Sequence, residues 1–388
     1  MPGTHAVLSA SSAKRWLACP PSARLNDKLA YLFGDGGSVY AEEGTLAHSV
    51  AELKLRHETG EINDFNFTTR LKALGDISAE MNRATDYYVD VVLEKFYAAK
   101  KVCPDAKLLL EQRLDYSAWV PKGHGTGDAV IVSDASLEVC DLKYGKGVPV
   151  SAVENPQARC YGLGALTAFG DLYGFTHVRN TIIQPRLDSV TEETLTREEL
   201  LAWGEEIRPI AEQAWRGEGE FTPGEHCRFC NARALCKARA LESMTIFKHG
   251  FDSPDVLADS AIPEILKVAD VAEQWLKDIR AYALSQALRG AVWPGWKLVR
   301  GKKPNRAWKN EDAVLDQLAR AGYSEEQYMV TKMKSVSEIE KVLGKAAFNA
   351  LLGPMVVQGE GNLTLVPETD KRVEYSSADA DFADMLSV

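Results

Sequence analysis

The chain has 388 residues, 45% of them hydrophobic and 26% charged, with a formal net charge of −10 at pH 7. This composition is typical of a soluble globular protein, and the length suits two domains or one large domain with an extension. No membrane span and no secretory signal are recognisable, so a cytoplasmic protein without a membrane partner is expected. The negative charge argues against a protein that coats nucleic acid non-specifically. It does not argue against an enzyme that acts on nucleic acid, because such enzymes carry acidic metal ligands.

The hydrophobic pattern predicts helices in the first hundred residues and a mixed α/β unit after them. In chain order the predicted elements are a helix over 9–17, a loop over 22–40, helices over 41–58 and 77–101, a strand over 107–114, strands over 129–132 and 137–139, a helix over 153–169, a strand over 177–184 and a helix over 197–215. This order indicates an α/β fold whose mixed sheet is flanked by helices.

Asp128, Asp141 and Lys143 are the most informative residues of this unit. The apolar stretches 129–132 and 137–139 flank the turn-forming sequence 133–136. This pattern predicts a β-hairpin with Asp128 opening one strand and Asp141 closing the next. Both carboxylates would then lie at the same end of the sheet, and Lys143 would share the face of Asp141 because side chains alternate along a strand. Carboxylates that hold Mg²⁺ beside an ammonium suit phosphodiester hydrolysis. An edge hairpin with solvated charges explains the same three residues equally well.

Two further pairs of polar residues share a helix face. His48 and Glu52 lie four residues apart in the helix over 41–58, and Gln157 and Tyr161 lie four apart near the start of the helix over 153–169. A helical histidine is most often an ordinary surface or core residue. Only a metal site nearby would turn these four side chains into ligands or substrate contacts.

The cysteines form a cluster late in the chain. Cys227, Cys230 and Cys236 are closely spaced, and Cys19 is a fourth candidate far upstream. Clustered thiols in the cytosol more often bind metal than form disulfides, and four thiolates fit either zinc or an iron–sulfur cluster. The three remaining cysteines stand in apolar contexts typical of core thiols: Cys103, Cys140 and Cys160.

In this order the motifs resemble the RecB-type branch of the PD-(D/E)xK nuclease superfamily, and more closely a phage and prophage family labelled a domain of unknown function. The resemblance covers about residues 1–245. A G-x-x-x-H helix supplies His48, G-x-x-D supplies Asp128, D-x-K supplies Asp141 and Lys143, and Q-x-x-x-Y supplies Gln157 and Tyr161. The family's iron–sulfur staple maps onto Cys19, Cys227, Cys230 and Cys236. The Pro-Asp that names the superfamily is absent, and Gly127 precedes Asp128.

The resemblance implies a restriction-endonuclease-like core and a DNA exonuclease of phage recombination, in the cytoplasm of a bacterial host. His48, Asp128, Asp141 and the Leu142 carbonyl would bind Mg²⁺ or Mn²⁺, Lys143 would orient water, and Gln157 and Tyr161 would hold the strand. Glu111 is a weaker candidate for the same site. A [4Fe-4S] cluster, or structural Zn²⁺, would join the four cysteines. DNA ends and single strands, with a phage annealing or single-strand-binding protein, are the expected partners. The alternatives are an endonuclease or flap nuclease, and a DNA-binding module that does not cut.

The last third of the chain, 246–388, is predicted to be a separate α+β extension that binds DNA or a partner. Helices are expected over 254–290, 311–321 and 336–352, and the tail from Asp379 is acidic. Between residues 291 and 309, tryptophans are interleaved with basic residues, a combination that suits single strands or strand ends. A β-rich segment with a solvated basic edge is equally consistent with that stretch. The residues concerned are Trp293, Trp296, Lys297, Arg300, Lys302, Lys303, Arg306, Trp308 and Lys309.

Overall fold

The computed structural model of the chain describes residues 6–30, 39–134, 136–245, 262–299, 317, 320–321 and 336–356. It divides into two units, Met1–Ala291 and Val292–Val388. The domain boundary expected at residue 245 stays a prediction. The tail from Asp379, the basic residues from Arg300 onward and nearly all of the helix expected over 311–321 lie outside the described residues.

Among the described residues, the first unit contains five strands and nine α-helices. The helices are α1 (Ala13–Ala18), α2 (Ser22–Lys28), α3 (Val39–Glu58), α4 (Asp64–Ala73), α5 (Ala79–Val102), α6 (Pro156–Phe169), α7 (Arg197–Arg216), α8 (Lys237–Ser243) and α9 (Ile262–Leu288). The strands are β1 (Lys107–Asp115), β2 (His124–Val132), β3 (Ser136–Leu142), β4 (His177–Gln184) and β5 (Ser189–Thr196). In the second unit, α10 (Val336–Leu343) and α11 (Lys345–Leu352) are described.

The five strands form one mixed sheet in the order β1-β2-β3-β4-β5. All neighbours are antiparallel except β3 and β4, which run parallel and are connected through α6. The β2–β3 hairpin confirms the one predicted, with Val132 opposite Leu137. Asp128, however, lies in the middle of β2 and does not open it, because the polar, glycine-rich stretch from His124 also pairs with β1.

Two apolar clusters cover the two faces of the sheet. On one face, Leu114, Val130 and Val139 pack with residues of α6 and α7. On the other, Ile131, Cys140 and Leu142 pack with residues of α3 and α5. Alternation along the strands sends neighbouring residues to opposite faces, so both faces need helical cover. The α/β class with a mixed sheet flanked by helices is thereby confirmed.

The elements that the pattern missed are short or polar. Residues 22–40 were predicted to be loop, but α2 begins after the paired prolines and packs on α7. Helix α4 has no buried residue, and its signal is the Asn63 side chain, which accepts a hydrogen bond from Asn66 N. Strand β5 reads Ser-Val-Thr-Glu-Glu-Thr-Leu-Thr and lies at the edge of the sheet, where exposed polar residues hide a period-2 pattern.

The helix predicted over 153–169 begins three residues later than expected. The Asn155 side chain accepts hydrogen bonds from Gln157 N and Ala158 N, and Pro156 occupies the first turn. Both are start signals of a helix, since a capping side chain satisfies free amides and proline has no amide to satisfy. The first turn of α6 therefore presents Gln157 to the edge of the sheet.

Candidate functional site

Asp128 and Asp141 come together at one end of the β2–β3 pair. They lie one position beyond the paired residues Ala129 and Cys140, on adjacent strands. The Leu142 amide donates a hydrogen bond to Asp128 Oδ2 at 2.7 Å, which fixes the Asp128 carboxylate against the end of β3. A backbone amide thus holds one oxygen of this carboxylate.

Asp141, Lys143 and Gln157 form a closed triangle of contacts. The Lys143 ammonium lies 2.8 Å from Asp141 Oδ2 and donates a hydrogen bond to Gln157 Oε1 at 3.0 Å. The Gln157 amide in turn donates to Asp141 Oδ1 at 3.1 Å. The predicted common face of Asp141 and Lys143 is confirmed, and Gln157 completes the arrangement from the first turn of α6.

His48 reaches the same place from α3. Its Nδ1 lies 3.2 Å from Asp128 Oδ1. Burial lowers the pKa of His48, but the hydrogen bond and charge of Asp128 outweigh burial and the pKa is raised overall. The helix that carries His48 is anchored by Lys54, whose buried ammonium donates to Thr85 Oγ1 and Asp86 Oδ1 of α5. This anchor fixes α3, and with it His48, against α5.

A recess lies between α3, α5 and the edge of the sheet, beside Asp128. It has about 190 Å³ of empty volume, part of it open to solvent. The polar side chains that line it are those of His48, Glu52, Tyr88, Glu111 and Asp128, and the apolar wall consists of Ala51, Leu55 and Leu142. The helix face predicted for His48 and Glu52 is therefore the wall of this recess.

Glu111 enters the recess through an unusual backbone conformation. It lies inside β1 with φ 50°, in the left-handed region that a non-glycine residue rarely adopts. Before it, Leu109 packs on the α6 side and Leu110 on the α3 side of the sheet, whereas Leu114 packs on the α6 side again. Leu109 and Leu114 thus share a face although one has an odd and the other an even number. The alternation of side chains along β1 therefore changes phase at Glu111. Such conformations are concentrated at functional sites.

The recess is rich in negative charge. Partial burial and the nearby carboxylates of Asp128 and Glu52 raise the pKa of Glu111 to about 7. Burial, followed by the charge of Asp128, raises the pKa of Asp141 despite the Lys143 ammonium. Carboxylates held this close resist full ionisation. A bound cation would relieve the repulsion among them.

Tyr161 lies behind this cluster rather than in the recess. It is largely buried, and a Cβ on Gly125 would come within 2.7 Å of its ring. Glycine at 125, three residues before Asp128, is therefore what allows the ring to pack against β2. Burial raises the pKa of the Tyr161 hydroxyl, so Tyr161 is a neutral side chain. This hydroxyl interacts with the side chain of Gln157.

The donor set fits a hard divalent cation. Carboxylate oxygens and an imidazole are ligands that Mg²⁺ and Mn²⁺ accept. Asp141 is buried, and its Oδ2 lies 2.8 Å from the Lys143 ammonium, the kind of oxygen contact that a metal cation could take over. In the part of the chain that the structure describes, no three His, Cys, Asp or Glu side chains already surround a common point as a metal shell would. The carboxylates instead contact the lysine, the amide and the imidazole.

The four predicted cysteines line a second cavity. Cys19 follows α1, while Cys227, Cys230 and Cys236 belong to a chain of tight turns before α8. Burial raises the pKa of the Cys227 and Cys230 thiols. Cys103, Cys140 and Cys160 are buried elsewhere, which confirms the core setting predicted for them. Four thiols facing one cavity match the donor set of a zinc or iron–sulfur site.

Three contacts hold the cysteine segment to its surroundings. Asn26 of α2 accepts a hydrogen bond from Asn231 N at 2.8 Å. The Arg15 guanidinium donates to the Phe229 carbonyl at 3.1 Å. Arg239, almost fully buried, lies 2.6 Å from Asp278 of α9. The cysteine turns are thus fixed both to the N-terminal helices and to α9.

Tyr88 and Asn26 are two residues of these sites that the sequence did not single out. Tyr88 is one of many apolar and aromatic residues of α5 at helical spacing, so the pattern predicts only a core position for it. Asn26 lies in a stretch predicted to be loop. No helix among the described residues is long and apolar enough to span a membrane.

Comparison with known proteins gives a family model and matches to several solved structures. The model of a family described as "Protein of unknown function (DUF2800)" matches residues 5–373. A solved structure titled "Crystal structure of SSO0001" is 14% identical, covering 55% of this chain and 94% of its own, with a TM-score of 0.21. That superposition is too loose to carry an argument about fold or chemistry.

Proposed function

The chain belongs to the DUF2800 family, and on this premise we propose that it is a divalent-metal-dependent deoxyribonuclease with a PD-(D/E)xK core. The observation that carries the proposal is the convergence of Asp128, Asp141 and Lys143 with His48 at one end of the sheet. The solvated-hairpin explanation would leave these side chains pointing into solvent, whereas Asp141 is buried. An exonuclease of phage recombination that acts on duplex ends is the form of the activity we favour.

His48, Asp128, Asp141 and the Leu142 carbonyl would hold Mg²⁺ or Mn²⁺, with Glu111 as an additional carboxylate. When bound, the ion would polarise the scissile phosphate and lower the pKa of a water molecule. The Leu142 amide keeps Asp128 in place before any ion arrives. This preorganisation limits the cost of assembling the site.

Lys143 and Gln157 would act directly on the reacting groups. The Lys143 ammonium, held between Asp141 and Gln157, would orient the attacking water and stabilise charge on the phosphoryl oxygens. Gln157 would contact the strand, with Tyr161 as its support. The water oxygen forms a new bond to phosphorus, the bond from phosphorus to the leaving sugar oxygen breaks, and the proton of the water passes through solvent to that oxygen.

The cysteine cavity would hold a [4Fe-4S] cluster, with structural Zn²⁺ as the alternative. Cys19, Cys227, Cys230 and Cys236 would be its ligands, and the role would be structural. A tether between residues 19 and 227 closes a loop of about two hundred residues, which by the chain-entropy model stabilises the fold by roughly 5 kcal/mol.

The nuclease proposal is tested with labelled linear duplex, circular duplex and single-stranded DNA in Mg²⁺. Wild type is compared with Asp128→Asn and with Asp134→Asn, whose exposed carboxylate lies in the turn at the opposite end of the same hairpin. Degradation of linear DNA by wild type and by Asp134→Asn, but not by Asp128→Asn, is expected. Cleavage of circles would change the assignment to an endonuclease. DNA binding without any cleavage would indicate a non-cutting module.

The cysteine proposal is tested on protein purified without oxygen. A brown protein whose visible absorbance is absent in Cys227→Ser indicates iron and sulfide. A colourless protein that contains one zinc per chain indicates the alternative. Cys160→Ser is the matched control, because Cys160 is a buried core thiol outside the cavity.

A further inference from the structure

Tyr88 combines a polar atom with complete burial at the floor of the recess. Its side chain is 1% exposed and comes from α5, between the apolar residues that pack on Ile131 and Cys140. Within the part of the chain that the structure describes, its hydroxyl has no hydrogen-bond partner. The same residue lines the recess together with His48, Glu52, Glu111 and Asp128.

A buried hydroxyl without a partner is unfavourable, because it has lost its hydrogen bonds to water. Phenylalanine would fill the same space without that cost, so packing alone does not explain a tyrosine here. The hydroxyl lies within electrostatic range of Asp128, Asp141 and Glu111. A ligand that enters the recess from its open side could supply the missing hydrogen bond.

The backbone of Glu111 points independently to a ligand at the same place. Its left-handed φ of 50° turns the carboxylate onto the face that carries the recess, next to Asp128 and Glu52. Strained backbone that brings like charges together is unfavourable in the empty protein. A strained residue and an unpartnered hydroxyl at one recess have a common explanation in a bound cation.

We propose that Tyr88 is a positioning residue for a hydrated divalent cation in this recess. Mg²⁺ gives up its water reluctantly and usually keeps several water ligands in protein sites. The Tyr88 oxygen would accept a hydrogen bond from one such water. The inference rests on the proposed metal site, but it does not depend on whether the protein cuts DNA.

The test is a Mg²⁺ titration monitored by thermal unfolding, with the whole chain dialysed into buffer without divalent cations. Wild type, Tyr88→Phe, Asp128→Asn and Tyr144→Phe are compared. Tyr144 is the matched control, because it is a buried tyrosine that does not line the recess. The part of the shift that disappears in Asp128→Asn is assigned to the recess.

Without Mg²⁺, Tyr88→Phe is expected to unfold at the wild-type temperature or above it. The Mg²⁺ concentration that gives half of the shift should rise about fivefold, as expected for one lost hydrogen bond. Tyr144→Phe should keep the wild-type Mg²⁺ midpoint. A structural role alone would instead lower the unfolding temperature equally with and without Mg²⁺.

An unchanged midpoint in Tyr88→Phe overturns the inference, and so does an equal rise in Tyr144→Phe. A wild-type shift that survives in Asp128→Asn also overturns it, because the cation would then bind elsewhere. If the Mg²⁺ midpoints are as expected but the protein degrades no DNA, the role of Tyr88 is supported and the nuclease is refuted. The two proposals can therefore fail separately.

Discussion

Strand β3 carries two buried carboxylates, Glu138 and Asp141, in very different surroundings. Glu138 lies 2.7 Å from the Lys95 ammonium and accepts a hydrogen bond from Thr181 at 2.7 Å, with Arg179 a little farther away. Asp141 is also paired, with Lys143 2.8 Å from Oδ2 and Gln157 donating to Oδ1 at 3.1 Å, but the carboxylate of Asp128 lies near it and raises its pKa. The two residues are 8% and 5% exposed, so burial does not distinguish them.

The two carboxylates differ in the side chains that surround them. Glu138 faces two cationic side chains, Lys95 and Arg179, which is typical of a charge that holds structure together. Asp141 stands in a region with an unpartnered hydroxyl, a strained glutamate and neighbouring carboxylates. Real proteins violate local rules of this kind mainly at functional sites. The comparison separates a structural end of β3 from the end at which we propose a metal site.

The largest expected effect is on catalysis, at the end of β3 that carries Asp141. Asp141→Asn should lower the rate of DNA hydrolysis on the order of 10³-fold or more, because a metal ligand supplies several kcal/mol of transition-state stabilisation. Glu138→Gln should leave the rate per folded molecule close to wild type. Initial rates on linear duplex, with folding checked by circular dichroism, make the comparison. Equal losses in both variants would erase the proposed distinction.

The next effect is on stability, which should be lost mainly at the structural end of β3 and little at the end that carries Asp141. Lys95→Met leaves Glu138 buried without its nearest cation, which should lower the free energy of unfolding by about 3 kcal/mol. Asp141→Asn should cost about 1 kcal/mol or less, since it removes one negative charge from a site with excess negative charge. Urea denaturation in buffer without divalent cations measures both. A larger loss in Asp141→Asn than in Lys95→Met would contradict the assignment.

A smaller effect concerns the backbone at Glu111. Glu111→Gly and Glu111→Ala both remove the carboxylate, but only glycine adopts φ 50° without strain. The glycine variant should therefore be the more stable of the two by about 1–2 kcal/mol. The same pair at Glu138, which lies in regular paired strand, should show the reverse order. Thermal or urea unfolding of the four variants tests the sign.

The smallest effect is the pH dependence that Glu111 causes in the metal-free protein. Burial and its neighbours raise the pKa of Glu111 to about 7 from 4.5. Below the lower value both the folded and the unfolded states hold the proton. As pH rises between the two values the unfolded state loses it first, and the free energy of unfolding falls. Glu111→Gln should remove part of this decline, and added salt should weaken it because Glu111 is partly open to solvent.

Local patterns were sufficient for much of the fold and of the site. Alternating apolar residues around the turn at 133–136 predicted the hairpin, because strand period and turn chemistry are local properties. The spacing of His48 and Glu52, and of Asp141 and Lys143, predicted their shared faces for the same reason. Strand β5 and helix α4 escaped prediction, since elements at the surface need little apolar patterning.

By itself, the sequence determined which residue types stand at helical or strand spacing, and hence the α/β class and the candidate ligands. Tertiary structure alone decided that His48 of α3 meets Asp128 of β2, because helix-to-sheet packing sets that distance. It also decided that β1 changes phase at Glu111 and that the Tyr88 hydroxyl is buried without a partner. These features depend on backbone strain and long-range burial, which no local spacing encodes.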